Sequence, residues 1–263
     1  MILKNKVAVI YGAGGAIGGA VAQAFAGEGA KVFLTGRKRA PVDAVAKEIV
    51  SAGGSAEAAE VDALDEKAID KHLQSVIDNA GRVDISFNAA GITDEKIMGI
   101  PLIELDVEQF SVPIALYTRS YFLTARLAAR RMLQNKSGVI MTVTALPARM
   151  GSRMNGGYGS AQAAKEALTR DLSAELAPQG IRVVSLRPHG ITETGTMREV
   201  FEIRSKGTGM TWEQFEGYLA NMTHPRRVTK LQEVANMAAF MASDMASGMT
   251  GTAVNMTMGS LDD

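Results

Sequence analysis

Seven short apolar runs, "KVAVIYG", "KVFLTG", "AEAAEVDA", "VDISFNAAG", "GVIMTVTA", "IRVVSLRP" and "GTAVNMTM", alternate along the chain with longer amphipathic stretches. Strands that are apolar on both faces must be covered on both, and in-line strands joined by crossover helices make a parallel sheet. Helices are therefore expected at about 16–28, 40–52, 64–80, 107–134, 158–178 and 231–243. The pattern predicts an α/β fold, a doubly wound parallel sheet with helices on both faces and its ligand site at the carboxyl ends of the strands. No linker, charge run or internal repeat divides the 263 residues, so one domain spanning 1–263 is expected.

The first strand runs into "YGAGGAIGGAVAQAF", which places Gly12, Gly14, Gly15 and Gly18 between strand and helix, with Ile17 in the first helical turn. Glycines permit a tight turn and close backbone approach, and the helix N-terminus offers free N–H groups and a positive dipole end to a pyrophosphate. This points to a dinucleotide. After the second strand an NAD site usually carries an acid for the ribose 2′-hydroxyl. Here "LTGRKRA" offers Arg37, Lys38 and Arg39. A carboxylate would repel a 2′-phosphate and a guanidinium can grip it, so NADP(H) is favoured over NAD(H).

Composition narrows the partners. With 28 basic and 28 acidic residues the formal charge is zero, which gives no reason to expect nucleic acid or an anionic membrane. The absence of cysteine excludes disulfides and thiolate metal sites, and His72, His189 and His224 are not paired at metal-ligand spacing, so no metal is expected. Lys4 and Lys6 precede an uncharged run to Gly27 that superficially resembles an export signal. Its six glycines, each about 1 kcal/mol worse than alanine in a helix, make it a poor one. A cytoplasmic protein acting on a small molecule is expected.

The glycine turn, "EVDALD", "FNAAG", Tyr158 opening a helix in "NGGYGSAQAAKEAL" and "LRPHGITET" occur in this order. With them the chain resembles the short-chain dehydrogenase/reductase family over nearly its whole length, as a divergent member. The resemblance implies a single Rossmann-type domain of seven parallel strands, a homodimer or homotetramer, and a nicotinamide cofactor. It implies that Asp62 and Ala63 meet the adenine, that Asn88, Ala89 and Gly91 lie beside the ribose, and that Pro188, Ile191, Thr192 and Thr194 flank the nicotinamide and diphosphate. Tyr11 and Ala16 stand where the family pattern has a threonine and its middle glycine.

The family's catalytic set is an asparagine, a serine, a tyrosine that exchanges a proton with the substrate oxygen, and a lysine that acidifies it. Aligned on neighbouring residues, these positions hold Tyr117, Ala145, Tyr158 and Gln162, so the tetrad is incomplete. A second register, like that of enoyl-thioester reductases, spaces tyrosine and lysine by seven and would pair Tyr158 with Lys165. Both spacings share a helix face. The gap-free downstream match, "RDLSAELAPQGIRVVSLRP", assigns the lysine place to Gln162, and Lys165 is expected to be a solvated charge beside Glu166. Free tyrosine has a pKa near 10 and a nearby cation lowers it by about 1 to 3 units. Without that cation Tyr158 is a poor base for oxidation but can donate a proton in reduction, while Gln162 can hydrogen-bond a ribose hydroxyl. Thr144 is expected, from strand alternation, to point away from the site.

The stretch at about 193–228 breaks the alternation and carries Met197, Phe201, Trp212, Phe215, Tyr218 and Met222. It is expected to form a small subdomain or a lid over a largely apolar substrate. Three functions fit: an NADP(H)-dependent reductase of a carbonyl or activated enoyl group, a dinucleotide-binding sensor or scaffold without turnover, and, less favoured, a lyase or isomerase that keeps its cofactor bound.

Overall fold

The computed structural model describes residues 1–91, 97–193 and 195–262, with the side chains of 195–197 and 200 left aside. Seven strands form one sheet in the order β3-β2-β1-β4-β5-β6-β7, all pairs parallel. They are β1 (Val7–Tyr11), β2 (Lys31–Gly36), β3 (Ser55–Glu60), β4 (Ile85–Asn88), β5 (Gly138–Val143), β6 (Ile181–Pro188) and β7 (Thr252–Met256). The crossovers are α1 (Ala16–Gly27), α2 (Arg39–Ser51), α3 (Glu66–Ala80), α4 (Val107–Met132), α5 (Tyr158–Leu176) and α8 (Leu231–Ala242). Helices α6 (Gly195–Gly207) and α7 (Trp212–Asn221) interrupt the last crossover. The seven strands and six crossover helices stand where the sequence pattern puts them.

Strand alternation builds two cores. Ala8, Ile10, Val32 and Leu34 face α1, α2 and α8 on one side. Val7, Val9, Tyr11 and Phe33 face α3, α4 and the apolar edge of α5 on the other. The five inner strands are buried on both faces, the edge strands β3 and β7 are only partly covered, and the helices bury a stripe, as expected of a doubly wound sheet. Local chemistry sets the ends: Asp65 caps α3 by accepting from the N–H groups of Lys67 and Ala68, and Gly81 stops it in a left-handed conformation. A capping box of Thr211 and Gln214 starts α7.

The topology reverses between β1 and β4, which pair in register with Tyr11 beside Asn88. Ligands of such sheets bind outside the carboxyl ends at this switch point. The loops there are stitched together, Ala13 N–H bonding the Thr35 carbonyl and Ala89 N–H the Tyr11 carbonyl, each at 2.9 Å. Among the described residues no helix is long and apolar enough to cross a membrane.

Candidate active site

The glycine turn is shaped by what surrounds it. Gly12 has φ +76°, and a Cβ there would lie 2.6 Å from the Ala89 carbonyl oxygen. A Cβ on Gly18 would overlap the Gly12 carbonyl. Both must be glycine for the β1 loop to lie between β4 and α1. Gly14 and Gly15 are less constrained, with Pro41 the nearest neighbour of the first. No side chain caps α1, so its first-turn N–H groups, including that of the partly buried Ile17, are left to the loop and to an anion placed there. Tyr11 turns into the α3–α5 layer, where its hydroxyl is buried and burial pushes its pKa up.

Beyond β2, Arg37 and Lys38 are exposed, and among the described residues neither forms an ion pair; Arg39 is bonded to Asp43 at 2.8 Å. Asp62 is exposed and accepts from Leu64 N–H, while Ala63 is buried. The Asn88 side chain is committed to the fold: its amide donates to Ser120 and Thr124 on α4 at 3.0 and 2.9 Å, and its oxygen accepts from Ala90 N–H. Only its backbone, with Ala89 and the exposed Gly91, can meet a ligand. After β6, Pro188, Ile191 and Thr192 are buried, and Thr192 donates to Glu216 on α7 at 2.7 Å. Thr194 lies outside the described residues.

Two glycines set the height of Tyr158. Gly156 has φ +50°, and a Cβ on Gly157 would overlap the Phe110 carbonyl and crowd Pro113 on α4. With no side chains in the way, α5 starts directly against α4. The Tyr158 ring, partly exposed, then meets the buried Tyr117 ring edge to face, centroids 5.7 Å apart and planes at 79°. Ala145, at the carboxyl end of β5, carries no hydroxyl, and Thr144 turns away to donate to Glu166 at 3.0 Å. Gln162 is 2% exposed, and its Oε1 is buried without a partner among the described residues. That leaves an acceptor one turn from Tyr158, suited to a hydroxyl donor.

Lys165 corrects the expectation of a solvated charge. It is 2% exposed, donates to the Val143 carbonyl at 2.6 Å, and lies 5.5 Å over the Tyr117 ring. Burial lowers its pKa to about 7, with Glu166 opposing. The seventh position after Tyr158 faces the end of β5, not water. The unfolded chain keeps this proton to about pH 10.4, so between about pH 7 and that value the folded state binds fewer protons and stability rises with pH. Lys165→Met is expected to stabilise the fold by about 2 kcal/mol near pH 6 and to flatten the rise between about pH 7 and 9.5, as read from urea midpoints. An equally steep rise in the variant would assign the dependence to other groups.

Three further residues had weak signals in the sequence. Arg187 is the second charge, after Arg182, in a largely apolar strand, and Glu166 follows a lysine on a helix, a pattern usual on surfaces. Each is 3% exposed, and they form a two-point ion pair of 2.7 and 2.8 Å that clamps α5 to β6. His189, next after Pro188, is buried with neither ring nitrogen bonded among the described residues, and burial lowers its pKa to about 4, keeping it neutral.

A sequence model of the family described as enoyl-(acyl carrier protein) reductase matches residues 12–260. The uncharacterized oxidoreductase YxbG of Bacillus subtilis (strain 168) is 32% identical over 249 residues, 95% of this chain and 88% of that one. Among solved structures, a 7α-hydroxysteroid dehydrogenase complexed with NADH and 7-oxo glycochenodeoxycholic acid is 30% identical with a TM-score of 0.86, covering 98% of this chain and 94% of that one. An actinorhodin polyketide ketoreductase variant with NADPH is 25% identical with a TM-score of 0.88, covering 97% and 96%.

Proposed function

The chain belongs to the short-chain dehydrogenase/reductase family of NAD(P)-dependent oxidoreductases, and on that premise we propose that it is an NADP(H)-dependent reductase of a carbonyl or activated enoyl group on a small, largely apolar substrate. The observation that carries this is the setting of Tyr158: first turn of α5, partly exposed at the carboxyl ends of the strands, its ring braced by Tyr117. A hydroxyl held there donates its proton to an oxygen that gains charge during reduction. When bound, the dinucleotide supplies the hydride.

The residues present fit that cofactor. Gly12 and Gly18 let the β1 loop close tightly against β4 and α1, and the uncapped α1 offers N–H groups to the diphosphate. Gln162 Oε1 accepts a ribose hydroxyl, which satisfies a buried acceptor that has no partner among the described residues. Arg37 and Lys38 take the 2′-phosphate, since both are exposed and without an ion-pair partner there. Asp62, Ala63, Asn88, Ala89 and Gly91 border the adenosine half through backbone and loop, and Pro188, Ile191 and Thr192 border the nicotinamide half.

Residues 193–228 serve as the lid, supported by a small core of Phe201, Phe215 and Leu219 with Trp212 and Val228 against it. The protein works in the cytoplasm as a homodimer or homotetramer paired through α4 and α5, with no nucleic acid or membrane partner. Exposed Val107, Val112 and Phe122 on α4 support that pairing. A second reading, a dinucleotide-binding sensor or scaffold without turnover, is favoured by Ala145 and Gln162 at the serine and lysine positions.

Oxidation of NADPH and NADH with a panel of ketones, aldehydes and enoyl thioesters separates the two. Consumption of NADPH is expected, with NADPH bound about tenfold or more tighter than NADH and the preference lost in Arg37→Glu/Lys38→Glu, in line with the strength of charge-assisted bonds to phosphate. Binding without consumption across the panel would leave the sensor reading standing alone.

A further inference from the structure

Arg204 has no ion-pair partner among the described residues. It lies on α6, donates to the Ser152 hydroxyl at 2.6 Å and holds its guanidinium 5.5 Å from the Phe215 ring of α7. Among the described residues no carboxylate pairs with it, although the next basic residue one turn and more before it, Arg198, is bonded to Glu202. Its Nε is buried and has no hydrogen-bond partner there. The residue as a whole keeps part of its surface open. Burial lowers its pKa, and Tyr158 and Tyr218 lie near enough to oppose that shift where they ionise.

A guanidinium held this way is costly to the fold and useful to a ligand. An unsatisfied buried donor destabilises the state that contains it, and such a group is retained where something else completes it. Arg204 reaches from the lid segment to Ser152, in the loop that leads into Tyr158 and α5, with an aromatic surface on one side and a hydroxyl fixing one of its nitrogens. The planar fork suits a planar anion by two parallel bonds. One guanidinium neutralises a carboxylate fully and a phosphate dianion only in part, so a partly buried pair favours the carboxylate.

We propose that Arg204 anchors the substrate, and that the substrate is an oxo acid: an apolar carbon chain whose carbonyl faces Tyr158 and whose carboxylate pairs with this guanidinium. This rests on the reductase reading and adds a charged end to the largely apolar substrate. The buried lid core of Phe201, Phe215 and Leu219 backs the guanidinium through the Phe215 ring, while Ser152 holds it in orientation.

The test uses the full chain saturated with NADP+, so that binding is measured without turnover. Levulinate and acetoacetate are titrated calorimetrically against their methyl esters, and dihydroxyacetone phosphate against dihydroxyacetone. The acids are expected to bind about tenfold or more tighter than the esters, as a charge-assisted bond implies. Arg204→Met, which keeps much of the volume, is expected to reduce that preference to less than about twofold while leaving ester affinity unchanged, and Arg204→Lys to restore part of it. A melting temperature for each variant reports that the chain is folded. Equal affinity for acid and ester, no binding of either, or an undiminished preference in Arg204→Met overturns the proposal. A phosphate preference that exceeds the carboxylate preference and disappears in Arg204→Met overturns the assignment to a carboxylate. NADPH oxidation is followed separately: acid-selective binding that depends on Arg204 without any oxidation would sink the reductase reading and leave the anchor, whereas oxidation with equal use of acids and esters would do the reverse.

Discussion

Arg187→Met is expected to cost the fold about 3 to 5 kcal/mol near pH 7, read as a lowered urea midpoint at unchanged slope. The substitution leaves the Glu166 carboxylate buried, with the Thr144 hydroxyl at 3.0 Å but without the two bonds from the guanidinium. A buried charge stripped of its partner costs more than the pair contributed, because the desolvation remains and the attraction is gone. The double variant Arg187→Met/Glu166→Leu should recover much of the loss, since paired ions can be exchanged for apolar packing at little cost. A single-variant loss under about 1 kcal/mol would show that the clamp between α5 and β6 is not structural.

Tyr158→Phe is expected to lower turnover about 100- to 10,000-fold, the range for removing a positioned general acid. Phenylalanine keeps the ring packed on Tyr117 and loses only the hydroxyl, so the melting temperature and the dissociation constant for NADPH should stay near those of the parent. An effect on kcat with little change in KM would mark an interaction made mainly in the transition state. Unchanged turnover would assign the proton to another group, and a large loss of NADPH affinity would point to a positioning role.

The strands and helices were legible because each signal is local. Period-two burial, turn glycines and amphipathic helices are written in adjacent residues, and they recur in the observed elements from Val7–Tyr11 to Thr252–Met256. The order of motifs also made the family legible. Lys165 was not, because lysine beside glutamate on a helix reads as a water-facing pair. Its neighbours are Val143 and Tyr117, 22 and 48 residues away, and Glu166 is tied to Arg187, 21 residues on. Asn88 was legible as the end of a strand but not as a bolt to α4, since Ser120 and Thr124 lie 32 and 36 residues further on.

By itself, then, the sequence determines the parallel α/β sheet, the glycine turn before α1, the cations after β2 and the family to which the chain belongs. These follow from side-chain period, backbone freedom and residue identity, none of which depends on distant contacts. Only the tertiary structure decides which charges are solvated. It buries Lys165 under Tyr117, locks Glu166 to Arg187, and holds Arg204 between Ser152 and Phe215 without a carboxylate among the described residues. The physical reason is that desolvation depends on what the rest of the chain brings to a position, and that is settled only when the layers pack.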